Sequence, residues 1–106
     1  MEKSSGKKNT AVFISGRGSN LKSLIKYSKT KKSLIKIVLV ISDNSTARGL
    51  DYANESKINN IFVKYSNKKS FENRLFKLLR RNNVDLICLA GFMKILSGKF
   101  LSLIHI

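Results

Sequence analysis

The sequence predicts an α/β protein, a doubly wound parallel sheet built in the order βαβαβαβ. Short apolar runs at Thr10–Ser15, Ile35–Ile41, Ile61–Lys64 and Val84–Leu89 alternate with segments whose apolar residues recur at helical spacing. The run Ile35–Ile41 is almost continuously apolar and largely β-branched, which marks a strand covered on both faces, as in a parallel sheet. The connections are short, so successive strands must be joined by right-handed helical crossovers.

Each element has its own local signal. Residues 1–9 are polar and basic and read as a loose leader before the domain proper, 10–100. The first strand closes at Gly16; Ser19 offers an N-cap, and Leu21, Leu24 and Ile25 form the buried stripe of the first helix. The lysines after Tyr27 end that helix, where positive charge suits the C-terminal dipole. Ser42-Asp43-Asn44-Ser45 reads as a polar turn, with Asp43 as a turn and cap residue. A second helix from Thr46 to Ser56 buries Ala47, Leu50 and Ala53, and Asn59-Asn60 turns the chain into the third strand. Ser66 or Asn67 caps a third helix with Phe71, Leu75, Leu78 and Leu79 on one side, and Asn82-Asn83 ends it.

Composition narrows the function classes. Twenty-one Lys and Arg against six Asp and Glu give a net charge of +15, a field that draws small anions. Because lysines are scattered along a chain also rich in Asn and Ile, the excess reads as a solvated surface and argues against a nucleic-acid face. Cys88 is the only cysteine and lies between Ile87 and Leu89, so it reads as a buried strand residue rather than a nucleophile or metal ligand. No segment has the apolar length of a signal-peptide core or a membrane span, and a reducing cytoplasm is the expected compartment. Nothing in the sequence points to an oligomeric state.

In a doubly wound sheet, ligands bind beyond the carboxyl ends of the strands. Three loops arrive there: 16–20, 42–45 and 90–97. In Gly16-Arg17-Gly18-Ser19-Asn20-Leu21, two glycines permit a tight turn and close backbone approach. The helix that follows offers free N–H groups, and Ser19 and Asn20 add side-chain donors, which together make a phosphate site. A dinucleotide fingerprint would need a third glycine where Leu21 stands and an acid after the second strand; Asp43 meets the second requirement and Leu21 fails the first. In the last loop, Ala90-Gly91 leaves room for a ligand. The apolar group Phe92, Met93, Ile95 and Leu96 then reads either as a core plug or as a slot for a flat aromatic ligand.

Three stretches, 14–21, 42–50 and 89–97, resemble phosphoribosylglycinamide formyltransferases, and the similarity runs in order from about Ala11 to Phe100. The resemblance implies the N-terminal βαβαβαβ portion of a Rossmann-like formyltransferase fold. It also implies transfer of a formyl group from 10-formyltetrahydrofolate to the amino group of glycinamide ribonucleotide in purine synthesis. Arg17, Gly18, Ser19 and Asn20 would bind the ribonucleotide phosphate, and Met93, Lys94, Ile95 and Leu96 would line the folate pocket. Lys68 stands nearest to an arginine that the family often carries at the start of the third helix, although lysine lacks the guanidinium fork.

The family's catalytic Asn-x-His followed by Pro-Ser, and its later Asp, are absent from the 106 residues. His105 has Leu103 where the Asn would stand and is not assigned a role. The 101–106 stretch, Leu-Ser-Leu-Ile-His-Ile, reads as the translation of a transposon end used in sequencing-library preparation, and so as a non-native tail. The expectation is a binding half without turnover, whose fourth strand, carrying Ile87, Cys88 and Leu89, lies at a sheet edge. Two alternatives are formyltetrahydrofolate deformylase, which resembles these loops but usually carries an extra N-terminal regulatory domain, and a non-catalytic nucleotide- or nucleic-acid-binding α/β module.

Overall fold

The computed structural model describes residues 7–16 and 19–92. In chain order they form β1 (Lys8–Ile14), α1 (Ser19–Ser28), β2 (Ile35–Ser42), α2 (Arg48–Glu55), β3 (Asn60–Phe62), α3 (Lys68–Arg81) and β4 (Leu86–Leu89). The four strands make one sheet in the order β3-β2-β1-β4, and every pairing is parallel. The chain therefore steps outward from β1 to β3, then returns through α3 to lay β4 on the other side of β1. Among the described residues β4 is an edge strand, as expected, and Leu89 at its carboxyl end is exposed. Cys88 is half-buried rather than fully buried.

Alternation along the strands sorts the core into two layers. Ala11 and Phe13 of β1 join Leu39 and Ile41 of β2 and Val63 against Phe71, Leu75 and Leu79 of α3. Val12, Ile14, Ile37 and Val40 face the other way, against Leu21 and Ile25 of α1 and Ala53 of α2. Ile37 and Val40 share a face despite their odd spacing because the β1–β2 register shifts between Thr10 and Ala11. One extra residue in β2 resets the parity, which is what a β-bulge does. Beyond the sheet, Phe92 stacks on Phe71 with ring centroids 6.0 Å apart and meets Phe13 edge-on at 5.4 Å.

Several element bounds differ from the sequence reading, each for a local reason. β1 begins at Lys8 rather than Thr10, because Asn9 pairs across to β4's approach: the Asp85 N–H donates to the Asn9 carbonyl at 2.7 Å and the Asn9 N–H to the Asp85 carboxylate at 3.1 Å. Lys7 donates its ammonium to the Ser28 and Thr30 carbonyls, satisfying the end of α1 and favouring its dipole. Of the two candidate caps for α3, Asn67 does the work, accepting from the Ser70 N–H at 2.9 Å.

Helices α2 and α3 end alike. The Ile58 N–H reaches back to Ala53 and the Lys57 N–H to Asn54; Val84 and Asn83 do the same to Leu79 and Arg80. These are Schellman closures, which need a left-handed residue just past the cap. Lys57 (φ 59°) and Asn83 (φ 53°) fill that position. This is why the turn into β3 falls at Lys57 and β3 starts at Asn60, one residue earlier than expected. Asparagine tolerates the conformation, whereas for lysine it costs roughly 1–2 kcal/mol. Glycine returns part of that gain as unfolded-chain entropy, about 0.4–1 kcal/mol. Lys57→Gly should therefore raise unfolding free energy in urea by about 0.5–1 kcal/mol, while Asn83→Gly should gain distinctly less. Equal responses, or a loss at Lys57, would contradict the reading of α2's closure.

Candidate phosphate-binding site at the strand switch point

The return of the chain from β3 to β4 fixes where a ligand can sit. The loop after β1 leads to α1 on one face of the sheet, while β4, beside β1, is reached from α3 on the other face. Neighbouring strands whose connections leave for opposite faces open a crevice at their carboxyl ends, the usual ligand position in such sheets. The two loops with the most distinctive sequences, after β1 and after β4, flank that point.

On the β1 side, Ser19 and Asn20 are the first two residues of α1, and both are exposed. Ser19 thus lies within the helix's first turn, one place later than the cap expected of it. The first turn carries no acidic residue, so no carboxylate within it offsets the positive end of the helix dipole. Gly16 is described and exposed, and a Cβ built on it would meet nothing within 4 Å. The fold itself does not require glycine there, and what remains is room for close approach by a ligand. Arg17 and Gly18 lie outside the described residues.

The loop after β2 supplies a support that the sequence reading missed. Asn44 accepts from the Thr46 N–H and hydroxyl at 3.0 and 2.9 Å, and its own amide donates to the Ser15 carbonyl at 3.1 Å. That last bond ties the β2 turn to the residue preceding Gly16. Ser42, fully buried, accepts from the Asn44 N–H and donates to its carbonyl. Holding Thr46 in this turn delays α2, which starts at Arg48 instead of Thr46. The turn role expected of Asp43 passes to Asn44, α2 begins after an N-cap at Ala47 that makes no side-chain cap bond, and the Asp43 Oδ1 is buried without a hydrogen-bond partner among the described residues. A short polar side chain two residues past a strand end is the signal that could have revealed Asn44, since it can mimic a backbone turn.

On the β4 side, the Ala90 N–H continues the ladder to the Phe13 carbonyl at 2.9 Å. Gly91 has φ 78° and open space around a notional Cβ, so here glycine is required by the backbone. Of the two readings of the apolar loop, Phe92 follows the core plug: it is half-buried against Phe13 and Phe71. Met93, Lys94, Ile95 and Leu96 lie outside the described residues, as do residues 1–6 and the whole 101–106 segment with His105. Lys68 is exposed at the start of α3, three residues before Phe71.

A parallel four-stranded sheet with α1 and α2 on one face and α3 on the other defines a Rossmann-like α/β domain. A sequence model of the formyl transferase family matches residues 8–105, and the chain belongs to that family. It is 41% identical over 97 residues to the bovine trifunctional purine biosynthetic protein adenosine-3, covering 89% of this chain and 10% of that protein. With phosphoribosylglycinamide formyltransferase of Haemophilus influenzae it shares 38% identity over 96 residues, 88% of this chain and 45% of that enzyme. Among solved structures, the phosphoribosylglycinamide formyltransferase of Anaplasma phagocytophilum superposes with a TM-score of 0.78 at 44% identity, over 89% of this chain and 44% of that one. The Brucella melitensis enzyme gives 0.86 at 34% identity, over 91% and 52%. The chain thus spans about half the length of the single-function relatives it matches and a tenth of the trifunctional one.

If Asn44 holds the loop from outside and Gly16 serves only approach, the two positions should respond differently. Gly16→Ala should leave the melting temperature unchanged while weakening phosphate binding. Asn44→Ala should lower stability by about 0.5–1.5 kcal/mol, one hydrogen bond's net worth, and should also weaken phosphate binding. Thermal melts with and without inorganic phosphate read both effects; a large loss of stability at Gly16 would contradict the assignment.

Proposed function

We propose that this chain forms the ribonucleotide-binding half of a phosphoribosylglycinamide formyltransferase. The proposed reaction moves the formyl group of 10-formyltetrahydrofolate to the amino group of glycinamide ribonucleotide, in cytoplasmic purine biosynthesis. The observation that supports it best is the exposed start of α1, with Ser19 and Asn20 beyond the carboxyl end of β1 at the switch point. In this reading Arg17, Gly18, Ser19 and Asn20 hold the substrate phosphate through backbone N–H groups and side-chain donors. Met93 to Leu96 line the folate slot, and Lys68 contributes a cation toward that side. The bound folate supplies the formyl group.

Magnitudes say what such a site can do. A helix N-terminus contributes up to about 2 kcal/mol toward an anion, and each hydrogen bond to a charged group about 1.5–3 kcal/mol. Two side-chain bonds and the helix end therefore reach about 4–8 kcal/mol, which corresponds to millimolar to micromolar dissociation constants. The phosphate alone can hold the substrate and fix its orientation. Transfer itself needs a group that takes the amino proton and donors for the developing oxyanion, and the 106 residues contain no Asn-x-His-Pro-Ser segment to provide them.

Calorimetric titration of glycinamide ribonucleotide into the chain should show binding in that range. Ser19→Ala and Asn20→Ala should each weaken it by roughly 10- to 100-fold, with no formyl transfer by the chain alone. Unchanged affinity in both variants, or no binding at millimolar ligand, would overturn the proposal.

A further inference from the structure

Five of the chain's 21 cations, which look scattered in the sequence, are gathered on one side of α3. Taking about 100° per residue, Lys69, Arg74, Arg80 and Arg81 all fall within about 80° of Lys77 around the helix. All five are exposed, and Ser70 and Asn73, the other residues of that sector, are exposed and polar. The helix's only acid, Glu72, lies on another flank. The opposite face, with Phe71, Leu75 and Leu79, is buried in the sheet. A shallow groove of about 340 Å³ runs along the outer surface, lined by Asn67, Lys69, Ser70, Asn73, Arg74 and Lys77.

Composition alone does not account for this face. Lysine is the chain's usual cation, yet three of its five arginines lie on this one helix surface. Arginine's planar fork suits bidentate contact with phosphate oxygens. We infer that the outer face of α3 binds the phosphate backbone of double-stranded nucleic acid without reading its sequence. From Lys69 to Arg81 the stripe is about 18 Å long at 1.5 Å per residue. Laid along the duplex axis, that length covers the rise of about five base pairs at 3.4 Å each.

The same face disfavours the other polyanions. Membrane-surface helices insert an apolar face, and that of α3 is already committed to the core. Single strands are held by stacking on exposed rings; the nearest ring, Phe76, is half-buried, with the Arg80 guanidinium 5.7 Å from its centroid. The stripe leads away from the crevice at the end of β1, so this inference does not rest on the ribonucleotide reading.

The test is fluorescence anisotropy of the whole chain with a labelled 20-base-pair duplex of random sequence, between 50 and 200 mM salt. Replacing Arg74, Lys77, Arg80 and Arg81 together by Gln should weaken binding at least thirtyfold at low salt. It should also make the slope of log K against log salt shallower by three to four, at about 0.9 per phosphate contact. A control that removes the same charge elsewhere (Lys29, Lys31, Lys32 and Lys57 to Gln) should change affinity less than threefold. The charge-keeping variant R74K/R80K/R81K should preserve the slope, which guards against misfolding of the first variant. Millimolar glycinamide ribonucleotide should not displace the duplex. Equal losses in the Gln variant and its control would overturn the inference, as would tighter binding to single strands, polyglutamate or phosphatidylserine vesicles than to the duplex.

Discussion

Helices α1 and α2 cover one face of the sheet and α3 covers the other, so the chain leaves β1 over one face and reaches its neighbour β4 from the other. That divergence is imposed by chain direction. Parallel strands can be joined only by crossovers, and a crossover returning from β3 to the far side of β1 must pass over the opposite face. Everything at the site depends on this opening. It aims the exposed first turn of α1 into the gap and brings the small residues Ala90 and Gly91 opposite. It also makes β1, paired on both sides, the rigid base on which the candidate phosphate loop is set.

Rigidity at that base is secured twice. The core fixes β1 through Val12 and Ile14 on one side and Ala11 and Phe13 on the other, all fully buried. Asn44 then binds the Ser15 carbonyl from the neighbouring loop, so the chain just past β1 is held by a side chain from β2's turn. A site that recognises an anion through backbone N–H groups has little affinity to spare for ordering its own loop. A preformed loop is therefore worth as much as an additional donor.

Much of this was legible in the sequence, because the signals are local. The β-branched run Ile35–Ile41, the glycines around the first turn, and the stripe Phe71, Leu75, Leu79 each report their own element. What was hidden depends on partners distant in sequence. The bulge near Val38 leaves no glycine to betray it, and Asn44 acts on a residue twenty-nine positions earlier. Phe92 looked equally suited to a ligand slot or the core until Phe13 and Phe71 came to meet it. The basic face of α3 is the opposite case. Its five cations appear in the sequence as one pair and three separate residues, and only the helical period merges them into one surface. The family resemblance read from the loops was confirmed over residues 8–105, although several residues it singles out fall outside the described part of the structure.

The central claim is that the start of α1 is a substrate phosphate site held in place by the β1–β2 turn. Amide chemical shifts of the isotopically labelled chain, followed during titration with glycinamide ribonucleotide, test it most directly. The account predicts that the largest shifts fall on Gly16 and on Ser19 to Lys22, that smaller ones fall on Asn44 to Thr46, and that α2 stays unchanged. Shifts concentrated along α3, or spread evenly over the surface lysines, would contradict it.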